Sequence, residues 1–196
     1  MNTASIDYYD KNADAYISAT TELDVSHLQE LFLALLPSGG KILDAGCGSG
    51  RDSLAFLKAG FDVEAIDGSA VMVERASKFT GLKVRQLTFQ QIEYRSEFDG
   101  IWACASLLHV PFDELPAVLS RMHTALKPQG VLYGSFKYGD SIIERDGRFF
   151  TNCNEARLKN LQDKVSGFSG IKTWKSNDIR KGRSSEQWIN FLWRAV

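Results

Sequence analysis

Residues 42–52 read Ile-Leu-Asp-Ala-Gly-Cys-Gly-Ser-Gly-Arg-Asp. Gly46, Gly48 and Gly50 let the backbone turn tightly and let a ligand approach main-chain N–H groups with no Cβ in the way. A helix that follows such a loop offers its positive end to an anion. The spacing is GxGxG, not the GxGxxG of the dinucleotide fingerprint. Asp44, two positions before the first glycine, is placed to accept hydrogen bonds from a cationic amine. Asp67, in Ile66-Asp67-Gly68-Ser69, is placed to accept from ribose hydroxyls, as the acidic residue of dinucleotide folds does. Together the two carboxylates describe an amino-acid nucleoside better than a pyrophosphate. The bland alternative is a tight turn with Asp67 as a helix cap.

Other residues could handle an acceptor. His109 ends the stretch Trp102-Ala103-Cys104-Ala105-Ser106-Leu107-Leu108-His109 and is the histidine nearest the loop, a candidate general base. The competing reading packs it under the loop, bonded to backbone. His27 and His123 fall on helices with no evident chemistry. Lys137 is delivered by a strand, and Tyr138, Arg145, Arg148, Arg180 and Arg183 follow, with Phe149, Phe150 and Asp178 interspersed. Arginines hold carboxylates and oxyanions by paired hydrogen bonds, although any single one is by default scattered surface charge. Tyr8, Tyr9, Asn12 and Tyr16 make the first segment more aromatic than a solvated tail requires.

The elements that must position these groups follow from periodicity. Ser26 and Gln29 read as a capping box ahead of Leu28, Leu31, Phe32, Leu35 and Leu36 at helical spacing. Strands are expected at 41–45, 61–66, 82–87, 98–104 and 131–137. They alternate with helices at about 52–59, 70–78 and 115–126, the last ended by Lys127-Pro128-Gln129-Gly130. Such alternation predicts a parallel sheet with helices on both faces that binds ligands at the carboxyl ends of its strands. A helix at 155–163 and two late strands, 171–175 and 187–193, add a C-terminal antiparallel hairpin. Ile189, Phe191 and Trp193 against Trp188 and Leu192 put the last strand inside the sheet. The predicted class is α/β with a mostly parallel seven-stranded sheet in a single domain, 1–196. Its parts are a helical lid region (1–38), a core (40–138) and an acceptor-side segment with the hairpin (139–196).

In bulk the 196 residues are 44% hydrophobic and 24% charged, with a formal net charge of −1. That balance argues against general nucleic-acid binding. Cys47, Cys104 and Cys153 have no metal-ligand spacing, so a reduced, cytoplasmic protein without a metal is expected. Asp7, Asp10 and Asp14 stand where a signal peptide needs an apolar run, and no stretch approaches the length of a membrane span.

The ordered set ILDAGCGSGRDS, VEAIDGSAVMVERA, FDGIWACASLLHV and LKPQGVLYGSFKYG resembles the motif series of class I S-adenosylmethionine (SAM)-dependent methyltransferases over about residues 40–138. GRDS, YYDKNADAY and SFKYG…GRFF are similar to the tellurite-resistance-type methyltransferases and their bacterial relatives. The resemblance implies the Rossmann-like SAM-methyltransferase fold, with SAM as cofactor. It implies that Asp44 and the backbone of Gly46, Cys47, Gly48 and Gly50 hold the methionine moiety and that Arg51 pairs with its carboxylate. Asp67 takes the ribose, Gly68 and Ser69 shape the rim, and Met72 packs on adenine. Ala103 and Cys104 lie near the methionine chain, and the N-terminal segment, including Tyr16, closes over the cofactor. Many relatives read the adenine amino group with an acidic residue; here Leu87-Thr88-Phe89-Gln90-Gln91 stands instead, and Phe89 is expected to cover the ring.

The function the resemblance implies is methyl transfer, expected here to a small anionic or soft acceptor, a metalloid oxyanion being the analogy from the tellurite-resistance relatives. His109 and Lys137 are the candidate catalytic groups, and Tyr8, Tyr9, Lys137, Arg148, Arg180 and Arg183 the candidate acceptor contacts. A tRNA-modifying methyltransferase and a non-catalytic SAM-binding regulator are the alternatives. The assembly is expected to be a monomer or homodimer.

Overall fold

The computed structural model describes residues 3–180 and 182–196. Helix α1 (Thr3–Thr20) bends at Asn12, whose φ of −120° leaves the helical region and whose side chain donates to the Tyr8 carbonyl at 2.8 Å. Helix α2 (Ser26–Leu33) follows, then β1 (Lys41–Ala45), α3 (Arg51–Lys58), β2 (Asp62–Asp67), α4 (Ala70–Thr80), β3 (Arg85–Gln86), β4 (Phe98–Ala103), α5 (Leu115–Ala125) and β5 (Leu126–Lys137). A separate hairpin, β6 (Ile142–Arg145) and β7 (Arg148–Thr151), precedes α6 (Glu155–Lys164), β8 (Phe168–Asn177) and β9 (Gln187–Ala195).

The main sheet runs β3-β2-β1-β4-β5-β9-β8. Its first five strands are parallel, and β9 enters antiparallel between β5 and β8. This is the expected Rossmann-like, mostly parallel seven-stranded sheet, with β8 and β9 as the C-terminal hairpin and the last strand inside the sheet. Ile42, Leu43, Ile101, Leu132 and Phe191 are inaccessible to solvent, as a sheet covered on both faces requires. Gly134 on β5 is needed for this closure: a Cβ there would come within 2.3 Å of the Phe191 ring on β9.

Four local expectations are corrected. Ser26 and Gln29 form no capping box: α2 has no side-chain cap, Ser26 N–H donates to Asp24 at 2.9 Å, and the Gln29 amide reaches Asp52 at 2.8 Å. The third strand shrinks to two residues at the sheet edge, where only β2 pairs with it. β5 begins at Leu126, directly after α5, so residues 127–130 belong to the strand with a register shift opposite Phe98 and Gly100. The β6–β7 hairpin was not anticipated, although Asp146 and Gly147 at φ 54° and 73° carry the signal of a two-residue turn with both centres left-handed.

Candidate active site

The carboxyl ends of β1, β2, β4 and β5, with α1 and the 176–188 segment, enclose one cavity of about 170 Å³. The glycine loop forms one side. Gly46 and Cys47 donate to the Ile66 carbonyl at 2.9 and 3.0 Å, which ties the loop to the end of β2. Gly46 sits at φ +82°, and a Cβ there would lie 2.5 Å from Cβ of Ser106, so the loop and the end of β4 touch with no room for a side chain. Asp67 accepts from Gly48 N–H and Ser69 N–H at 2.9 Å each, one on either oxygen. Both the turn-holding and the cavity-lining descriptions of Asp67 therefore apply.

Carboxylates outnumber cations around the loop. Asp52 accepts from Gln29, from Arg51 Nε and NH2, and from Trp102 Nε1, all at 2.8–2.9 Å. Arg51 also reaches the Thr20 carbonyl at 3.3 Å. Burial works against its charge, but the Asp52 carboxylate holds its pKa above the usual range. Asp44 is 2% exposed and accepts from the Ser53 hydroxyl at 2.5 Å. Burial, then the Asp52 charge, push its pKa upward. Burial also raises Asp67, against the pull of its backbone donors.

Of the residues singled out in the sequence, Tyr16, Gly46, Cys47, Gly48, Arg51, Asp67, Met72 and Cys104 line the cavity beside the loop. Asp44, Gly50, Gly68, Ser69, Phe89 and Ala103 are not among its lining residues. Asp44 lies beneath the loop on a strand buried from both sides; Gly50 faces α4, with a Cβ position 2.7 Å from Thr80; Phe89 and Ala103 are core. Ser69 caps α4 through Met72 N–H at 3.1 Å and donates to Asp10 at 2.5 Å.

Tyr9, His109, Lys137, Arg148, Arg180 and Arg183 line the other end of the same cavity; Tyr8 does not, but its ring covers the Arg148 guanidinium at 4.2 Å. Lys137 is paired with Glu186, and Arg180 with Asp178, whose Oδ1 receives Arg180 Nε at 2.9 Å. Among the described residues five cations here (Lys137, Arg145, Arg148, Arg180, Arg183) share three carboxylates (Asp146, Asp178, Glu186). Sequence reasoning missed Asp52, Tyr133, Ser135, Trp188 and Asn190 as lining residues. Period two could have found some of them: Tyr133, Ser135 and Lys137 share one face of β5, and Ser135 and Lys137 stand opposite Asn190 and Trp188 on β9.

His109 is 2% exposed. Its Nδ1 lies 2.8 Å from the Phe149 carbonyl, which can only accept, so Nδ1 carries the proton and Nε2 accepts from the Tyr9 hydroxyl at 2.9 Å. Burial lowers the imidazole pKa to about 4, the Phe149 carbonyl opposing and Arg148 adding to the shift. The ring is therefore neutral near pH 7, bonded to backbone and also lining the cavity. A histidine lowered from about 6.5 stabilises the fold fully above that value and loses its contribution as pH falls toward 4. On the order of 3 kcal/mol is at stake. Thermal midpoints of the parent and of His109→Gln between pH 7.5 and 4.5 should show the parent falling faster; parallel curves would refute a neutral buried imidazole.

Residues 42–130 match the family described as "Methyltransferase domain". The chain is 32% identical over 100 residues to the ubiquinone biosynthesis O-methyltransferase of Rhodopseudomonas palustris, an alignment covering 48% of this chain and 39% of that protein. It thus spans about two fifths of the length of that curated relative. Among solved structures it is similar to Burkholderia thailandensis 1,6-didemethyltoxoflavin-N1-methyltransferase with bound S-adenosylhomocysteine (TM-score 0.78, 21% identity, 97% of this chain and 85% of that one). It is also similar to the [4+2]-cyclase SpnF (TM-score 0.74, 17% identity, 96% and 94%). These likenesses fix the fold as that of the SAM-dependent methyltransferases. No helix among the described residues is long and apolar enough to cross a membrane.

Proposed function

We propose that the chain is a SAM-dependent methyltransferase whose acceptor is a small anionic or soft nucleophile. The observation that carries this reading is the single cavity joining the glycine loop and Asp67 to a group of cations in excess over their carboxylates. The chain's own charges fit the cofactor. Asp52 and Asp67 line the cavity beside the loop with Arg51 as the cation there, an acidic excess suited to a ligand that brings a sulfonium and an ammonium. Asp67 has about four acceptor sites and fills two with backbone donors, which leaves capacity for ribose hydroxyls. Arg51 uses three of its five N–H donors, leaving two for a ligand carboxylate. Tyr16 stands over Gly48, and Met72 supplies an apolar wall.

When bound, SAM supplies an electrophilic methyl carbon on a positively charged sulfur. The chain's task is to hold an acceptor in line with it and to exclude water, and orientation alone can supply about 7–11 kcal/mol in favourable cases. Helix α1 acts as the cover, since it bonds to α4 through Asp10 and Ser69 and to the β7 edge through the Ser5 hydroxyl and Phe149 N–H at 3.1 Å. His109 Nε2 receives an acceptor proton only if Tyr9 gives up its hydrogen bond, so an acceptor already deprotonated at neutral pH suits the site best.

SAM and S-adenosylhomocysteine should each stabilise the fold by about 2.7 kcal/mol at 100 times their dissociation constant, read as a thermal shift. Because the fold is shared with a cyclase, the assignment also requires acceptor-dependent formation of S-adenosylhomocysteine. A shift with NAD and none with either SAM ligand overturns the reading.

A further inference from the structure

The cations at the acceptor end are not equivalent. Arg180 holds Asp178, Lys137 and Arg183 share Glu186, and Arg145 lies between Asp146 and Glu186. Arg148 differs. It is 8% exposed, its Nε is buried without an acceptor, and its nearest carboxylate, Asp146 at 3.6 Å, is itself mostly in solvent. Leaving a buried charged donor unpaired is costly, so this guanidinium is the member of the group with most to gain from a ligand anion. Its surroundings are aromatic. The Tyr8 ring lies 4.2 Å and the Phe150 ring 5.2 Å from its central carbon, and Tyr9, His109, Phe150 and Trp188 are aromatic members of the cavity it lines.

We propose that the acceptor pocket selects an organic carboxylate carried on an aromatic ring, with Arg148 as the residue that reads the carboxylate. The proposal rests on the methyltransferase reading above and narrows its acceptor. A guanidinium fork matches the two oxygens of one carboxylate, and the rings beside it favour a flat apolar body that stacks edge or face against them. A compact inorganic oxyanion fits worse, because its oxygens point in every direction, and beside Arg148 the Phe150 ring has no donor while the donors of His109 and Trp188 are already given to Phe149 and Asp178. The Tyr9 hydroxyl cannot make up the shortfall while it donates to His109.

The test is calorimetric titration of the protein saturated with S-adenosylhomocysteine, using benzoate, 4-hydroxybenzoate, acetate and selenite as probes. Benzoate and 4-hydroxybenzoate should bind at least tenfold tighter than acetate or selenite. Arg148→Gln should abolish that advantage and Arg148→Lys should recover part of it, while affinity for S-adenosylhomocysteine stays within about twofold. Selenite or acetate binding as well as benzoate overturns the proposal, as does a folded Arg148→Gln that keeps the preference. If Arg148→Gln does not fold, the probe ranking in the parent and the loss in Arg148→Lys decide. Should S-adenosylhomocysteine itself not bind, the methyltransferase reading fails separately, and the same series run without it still decides the pocket.

Discussion

Asp67→Ala is expected to weaken binding of S-adenosylhomocysteine by about 10- to 150-fold in a protein that remains folded. The substitution removes the carboxylate proposed to receive the ribose hydroxyls, and a hydrogen bond to a charged group contributes on the order of 1.5–3 kcal/mol. It also releases Gly48 N–H and Ser69 N–H, which now share the two Asp67 oxygens at 2.9 Å. Water in the cavity can satisfy those donors, so the fold survives while the loop loses its preset shape. Asp67→Asn is not the mild control it resembles. An amide keeps one acceptor oxygen and presents an NH2 where the second backbone donor points, so one of the two N–H groups faces a donor; its loss should approach that of alanine. Burial raises the Asp67 pKa, so in the parent affinity should fall on acidification at a higher pH than an ordinary carboxylate would give. Calorimetry of the parent and both variants from pH 8 to 5 checks all three expectations. Unchanged affinity in folded Asp67→Ala would leave Asp67 as a turn residue alone.

The fold was largely legible because its strands are covered on both faces and announce themselves as apolar runs between helical periods. Leu43, Ile66, Ile101 and Leu132 are core residues on strands placed in sequence order. Legibility failed at edges, where pairing rather than burial decides, as at Arg85–Gln86. It failed again at the β6–β7 hairpin: β6 is exposed throughout, and only the Asp146-Gly147 turn marks it.

At the site, residue type and strand position located the loop, Asp67 and Lys137, because each sits at the carboxyl end of a strand that the sequence defines. Partner choice was not visible. Glu186 lies 49 residues from Lys137 and Asp52 lies 50 from Trp102, separations bridged only by the sheet order. Asp44 shows the same gap from the other side. Its type suits an amine, but β1 is buried on both faces, and Ser53 on α3 reaches the carboxylate first. Chemistry read from a residue type is secure only where the backbone path also brings that residue to the cavity.

Trp102→Ala should be among the most destabilising substitutions in the molecule. Trp102 lies on β4 with no solvent exposure. It stacks on Tyr133 at 3.9 Å between centroids and contacts Phe32 and Phe56 at 5.2 and 5.4 Å. Truncating a buried tryptophan to alanine costs about 3–5 kcal/mol in transfer and cavity energy. The loss of its 2.8 Å bond to Asp52 adds to this, because one oxygen of a buried carboxylate then keeps Arg51 as its remaining partner. Against a total stability of about 5–15 kcal/mol, the variant stands near its folding threshold. Trp102→Phe separates the two contributions: it retains most of the apolar contact and lacks the N–H. Its urea midpoint should fall much less than that of alanine, yet its affinity for S-adenosylhomocysteine should drop, because Asp52 fixes the Arg51 guanidinium at the cavity wall. A phenylalanine variant with parental affinity would show that Asp52 needs only Arg51 and Gln29. An alanine variant losing less than about 1 kcal/mol would mean that the cluster around Trp102 repacks, and that the rigidity assigned to this wall of the cavity is absent.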